Sequence, residues 1–138
     1  MFRSSATMGI ACNFHVMDDA FDAESAIKPL RELTELQKYW DGDFYPLTKA
    51  DYANDVWCAY QLANGDSGFC AFFRRENAPE AEKTFALNAI DAEKTYEITV
   101  TDSSYVKNTR TVKGAELSSF TAEIPNTKES LILVYKAL

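Results

Sequence analysis

The sequence predicts a mainly β protein, an antiparallel β-sandwich preceded by one N-terminal strand and one α-helix. Two observations carry the prediction. From Val56 onward the chain runs through short segments in which apolar and polar side chains alternate, separated by turn-forming Asp, Asn, Ser, Gly and Pro, which is the mark of strands with one buried face. Ahead of them a single stretch places its apolar residues at three- and four-residue spacing, the period of a helix. Short strands spaced by turns, with one helix before them, read as stacked antiparallel sheets.

The elements follow in order. Ala6, Met8, Ile10, Cys12, Phe14 and Val16 alternate with Thr7, Gly9, Ala11, Asn13 and His15, so a strand is expected over Ala6 to Val16. Next, Ile27, Leu30, Leu33, Leu36 and Trp40 form a helical stripe, with Asp22 placed to cap its start. Pro29 interrupts the pattern: either the main helix starts near Lys28 with the proline in its first turn, or a kink lies there. Val56, Cys58, Tyr60 and Leu62 then alternate with Trp57, Ala59 and Gln61, and "NGDSG" from Asn64 supplies the loop of a hairpin into "FCAFFRR". Further strands are expected in "KTFALNAI" from Lys83, "TYEITVT" from Thr95, "NTRTVKG" from Asn108, "FTAEIP" from Phe120 and "SLILVYKAL" from Ser130. In "TYEITVT" the faces separate cleanly, Tyr96, Ile98 and Val100 against Glu97, Thr99 and Thr101.

The 138 residues suit one ordinary domain-sized core. Fourteen Lys and Arg against 21 Asp and Glu give a net charge of −7, a field that works against phosphate backbones and anionic lipid, so neither nucleic acid nor a membrane is expected as a partner. No apolar run approaches the roughly 20 residues that cross a bilayer. The N-terminus carries no charged region, apolar core and cleavage site in succession, and a cytoplasmic location is expected. Cys12, Cys58 and Cys70 make no close pair, and His15 is the only histidine, so no disulfide framework, metal centre or other cofactor is expected.

Several stretches carry more than a pattern. "FRS" from Phe2, "FDAE" before the helix, "WDGDFYPLT" from Trp40, "DVWCAYQL" from Asp55, "GFCAFFRR" from Gly68, "TFALNAIDAEKTYEI" from Thr84 and "KGAEL" from Lys113 stand in this order. Together they resemble the C-terminal end of α-galactosidase-like glycoside hydrolases of family 36, over nearly the whole chain. The resemblance implies that residues 1–48 correspond to the last strand and helix of a catalytic (β/α)₈ barrel and residues 49–138 to the β-sandwich that follows it. It also implies that the nucleophile and the general acid/base, both Asp on upstream barrel strands, have no counterpart here. No catalytic residue carries over, and a non-catalytic accessory domain is expected. The alternatives are a weak carbohydrate-binding module and a homo-oligomerising interaction module, in which the Ala6 to Val16 strand, without barrel neighbours, pairs with the chain's own sheet or with the same segment of a second copy.

Asp41 and Asp43 flank Gly42 and mimic a carboxylate pair, but an Asp beside Gly commonly holds a turn through its own backbone. Asp18, Asp19 and Asp22 lack the spacing of a calcium loop. The aromatic rings near "GDFYPLT" can stack on a pyranose face, which makes Trp40, Tyr45, Tyr52 and Trp57 the carbohydrate-contact candidates, with a galactoside as the ligand. The competing reading is a structural joint of Trp40, Asp43, Phe44, Tyr45, Pro46 and Trp57, sealing the strand and helix onto the sandwich. Arg74 and Arg75 end an apolar strand, where a guanidinium pairs with a carboxylate or marks a solvated edge. Arg3 and Ser4 resemble a barrel-strand motif.

Overall fold

The computed structural model describes residues 3–5 and 22–138. A short 3₁₀ turn at Arg3–Ser5 precedes helix α1 (Ala23–Leu36), and a second 3₁₀ turn follows at Gln37–Tyr39. The strands are β1 (Asp43–Pro46), β2 (Trp57–Asn64), β3 (Ser67–Arg74), β4 (Glu82–Ala86), β5 (Thr95–Thr101), β6 (Lys107–Lys113), β7 (Ser119–Glu123) and β8 (Glu129–Ala137). One helical turn, α2 (Gly114–Leu117), lies between β6 and β7. The expected Ala6 to Val16 strand, and the self-association assigned to it, lie outside the described residues, as do Cys12, His15, Asp18 and Asp19.

Six strands form one antiparallel sheet in the order β1-β2-β3-β8-β5-β6, and β4 and β7 pair as a second, smaller sheet. The expected sandwich is therefore present, with α1 as a third layer. One face of the large sheet meets the small sheet in a core of Trp57, Phe72, Phe85, Tyr96, Phe120, Leu133 and Tyr135, among others. On the opposite face Leu36 and Tyr39 pack with Tyr60, Leu62, Phe69, Ala71 and Ile132. The middle strands are thus covered on both sides. This is why β3 and β8 carry the unbroken apolar runs "FCAFF" and "LILVY", where a half-buried strand would alternate.

The hairpin between β2 and β3 has a two-residue loop, since Asn64 pairs with Ser67. Gly65 takes φ +59, while Asp66 is not among the positive-φ residues; this is the type II′ arrangement that matches strand twist. At Gly68 the need is for space. A Cβ there would stand 2.4 Å from the Tyr135 hydroxyl and 2.3 Å from the Leu62 carbonyl oxygen.

Of the two readings of Pro29 one drops out, and two further expectations change. The helix begins at Ala23 and continues through Pro29, so the proline lies in its interior and not in its first turn. The lost hydrogen bond and steric clash, about 3 kcal/mol, are offset by burial of the ring beside Leu33, Leu36, Tyr60, Phe69 and Ile132. Packing there leaves an opening of only about 10 Å³, at the limit for one water. The buried stripe also differs: Ala26, Leu33 and Leu36 are buried, but Ile27 is 42% and Leu30 36% exposed. Glu32, 7% exposed, lies on the inward arc instead, paired with Arg3. Finally, "DFYP" is a strand, pairing Asp43 with Ala63 through Pro46 with Tyr60, so the large sheet begins ahead of the expected 48/49 boundary. Pro46 fits because β1 is an edge strand.

Candidate functional site

The carbohydrate candidates do not converge on one platform. Trp57 is 2% exposed and packed between the sheets against Phe85, ring centroids 5.9 Å apart. Trp40 is half-buried against the helix-side core. Tyr45 lies opposite Gln61 on β1, which puts it on the other side of the sheet from Trp40. Tyr52 is fully exposed in the loop after β1. Among the described residues no ring contact joins any two of these four. The indole N–H of Trp40 is buried without a hydrogen-bond partner.

The joint between helix and sheet keeps Trp40 and Phe44 of the expected rings and adds Tyr39, Tyr60, Phe69 and Phe73. Tyr39 packs on Phe69 at 5.9 Å, and Phe44, Tyr60 and Phe73 stack in a row at 5.8 and 6.3 Å across β1, β2 and β3. Trp57 has no place in this seal because it points to the small-sheet side. Asp43 and Pro46 contribute backbone pairing to β2. The turn around Gly42 is closed by its own N–H donating to the Tyr39 carbonyl at 3.0 Å, not by an aspartate side chain. Both Asp41 and Asp43 are exposed.

The residues that sequence reading under-rated are polar ones facing the small sheet. Trp57 and Gln61 lie on the same side of β2, and Arg74 stands directly opposite Trp57 on β3. The Trp57 indole N–H donates to the Glu80 carbonyl at 3.1 Å, just before β4. Just after β4, the Gln61 amide NH₂ donates to the Asn88 carbonyl at 2.7 Å and to the Tyr135 hydroxyl at 2.8 Å, while its oxygen accepts the Asn88 N–H at 2.8 Å. A side chain here makes the pair of bonds a neighbouring strand would make. The next loop is held by Tyr96, whose hydroxyl accepts the Asp91 N–H at 3.0 Å.

Arg74 corrects both readings offered for it. It is 8% exposed and its hydrogen bonds go to backbone carbonyls: Ala78 at 3.1 Å, Pro79 at 3.1 Å, Ile124 at 3.0 Å and Pro125 at 2.6 Å. One guanidinium thereby ties the segment entering β4 to the segment leaving β7. Arg75 likewise donates to the carbonyls of Asp51 and Ala53. Trp57, Gln61 and Arg74 are three fasteners holding the small sheet by its flanking backbone.

At the other face, Arg3 is 6% exposed. Its guanidinium forms a two-pronged ion pair with Glu32 on α1, at 2.6 and 2.7 Å. A third nitrogen contact goes to the Ser130 carbonyl at 2.9 Å. Among the described residues Glu32 is the one buried carboxylate, and Arg3 neutralises it.

Among the described residues the resolved tyrosine and cysteine shifts run upward. Burial pushes the Tyr60 hydroxyl up to about 12, with Cys58 adding to it. Burial also raises Tyr135, against a lowering hydrogen bond from Gln61, and raises the Cys70 thiol. These groups stay protonated at neutral pH, whereas a catalytic acid or base is drawn toward it. Among the described residues no three His, Cys, Asp or Glu side chains gather as a metal site, and no helix is long and apolar enough to cross a membrane.

Fold and contacts together define the class: a mainly β, two-sheet antiparallel sandwich with a helix laid on its large sheet. No protein-family model and no curated protein matches the chain.

Proposed function

We propose that this chain is a non-catalytic accessory unit of the kind found at the C-terminal end of α-galactosidase-like glycoside hydrolases of family 36. One observation supports it most: Trp57, Gln61 and Arg74, within the stretches that carry the resemblance, are spent on joining two layers. The described carboxylates point the same way. Retaining glycosidases need two carboxyl groups about 5–5.5 Å apart across the scissile bond, one with a raised pKa. Asp41 is exposed in the turn before β1 and Asp43 is exposed at the start of that strand, and Glu32 is held by Arg3. The chain alone is expected to hydrolyse an aryl α-galactoside no faster than buffer.

A second reading, weak galactoside binding, draws on Trp40, whose ring is partly accessible and whose N–H lacks a partner. Tryptophan fluorescence separates the two, since Trp57 is sealed inside. The accessory reading predicts no saturable change with galactose up to about 50 mM, a concentration that would fill a site of millimolar affinity. A saturable change that vanishes in Trp40→Phe would establish the binding module instead, and enzyme-paced turnover would end both readings.

A further inference from the structure

The surroundings of Arg3 form a complete recognition site for a guanidinium. Glu32 offers both carboxylate oxygens, at 2.6 Å from Nε and 2.7 Å from Nη2. Ser130 offers its carbonyl oxygen at 2.9 Å and its hydroxyl at 3.3 Å to Nη1. The Tyr105 ring lies 4.9 Å from the guanidinium carbon. A fork-matching carboxylate, further acceptors and an aromatic face are what arginine recognition uses, and an ammonium cannot fill that geometry.

The walls of this socket are organised without Arg3. Ser103 Oγ donates to the Ser130 carbonyl and accepts the Ser130 N–H, both at 2.9 Å. Asp102 holds the loop that carries Tyr105: one carboxylate oxygen accepts the N–H groups of Ser104 and Val106 at 2.8 and 2.9 Å, and its carbonyl accepts the Tyr105 N–H at 3.1 Å. Tyr105 itself sits at φ +64, a conformation a tyrosine keeps only when its surroundings impose it. Glu32 is carried by α1, which Leu33 and Leu36 bury on the sheet. Arg3 is therefore a tethered ligand in a preformed site, 29 residues from Glu32 in sequence and 127 from Ser130.

We propose that the socket of Glu32, Tyr105 and Ser130 is a guanidinium-binding site, filled in cis by Arg3 and able to take an arginine side chain in trans when Arg3 is withdrawn. The arginine belongs either to a second copy of this chain or to another polypeptide.

Chemical rescue tests it. Arg3→Ala leaves Glu32 buried and unpaired and lowers stability. N-acetyl-arginine amide, at ten times its dissociation constant, should raise the folding equilibrium of Arg3→Ala about tenfold, while N-acetyl-lysine amide should not. Arg3→Ala combined with Glu32→Gln should not respond. If Arg3→Ala is unfolded, the readout becomes ligand-induced recovery of far-UV dichroism. Arg3→Lys, which keeps a cation beside Glu32, gives a folded background in which arginine amide again stabilises and lysine amide does not. Equal responses with and without Glu32, or no response in either Arg3 variant, would overturn the proposal. Mixing Arg3→Ala with Glu32→Gln identifies the source. A one-to-one heterodimer by light scattering means a second copy supplies the arginine. Monomers that still respond to arginine amide assign the site to an arginine on another polypeptide.

Discussion

Replacing Arg74 with alanine is expected to lower the unfolding free energy by about 4 kcal/mol, read as a fall in urea midpoint at unchanged slope. The guanidinium serves four carbonyls, of which those of Ala78 and Ile124 belong to residues 1% and 2% exposed. Bonds to a charged donor contribute about 1.5–3 kcal/mol each, and a buried acceptor left unpaired costs about 1–3 kcal/mol. Pro79 and Pro125 are exposed, and water replaces part of what they lose. Arg74→Lys should recover less than half, because three donors on one nitrogen cannot span carbonyls on both sides of the small sheet. A loss below about 1 kcal/mol in Arg74→Ala would mean that the two segments hold together without the guanidinium.

The second large effect is expected at Gln61. Gln61→Leu keeps most of the volume but leaves the Asn88 N–H, the Asn88 carbonyl and the Tyr135 hydroxyl without their partner. The expected destabilisation is about 3 kcal/mol. It should be local in character. Amides of Leu87 and Asn88 should lose protection while those of β3 and β8 keep theirs, because the loop after β4 is released before the large sheet opens. A uniform loss of protection would show instead that Gln61 supports the whole core.

Much of this fold is legible in the chain. Alternation located β5 and β2, and the "NGDSG" segment located the tight hairpin because only Gly65 needs a left-handed backbone. What alternation hid was the middle-layer status of β2. Reading Tyr60 and Leu62 as the apolar face made Trp57, Ala59 and Gln61 the outer one, yet both faces are buried, since α1 covers one and β4 and β7 the other. The unbroken apolar runs of β3 and β8 held that signal. β1 was missed because four residues containing a proline offer no period to count. Arg74 departs from expectation for a physical reason: sequence suggests carboxylate partners for a buried guanidinium, but carbonyls from distant segments satisfy it equally, and spacing does not reveal them. Likewise, aromatic rings gathered near one motif suggest a platform, yet strand alternation sends Trp57 and Tyr60 to opposite sides.

The central claim is that Trp57, Gln61 and Arg74 serve to fasten the small sheet to the large one. Native-state hydrogen exchange at two protons tests it most directly: the Trp57 indole N–H, bound to Glu80, and the Asn88 amide, bound to the Gln61 side chain. Both should exchange only through large-scale opening, with protection close to that of the β3 amides. Exchange of either proton near the rate of an unstructured peptide would contradict the claim.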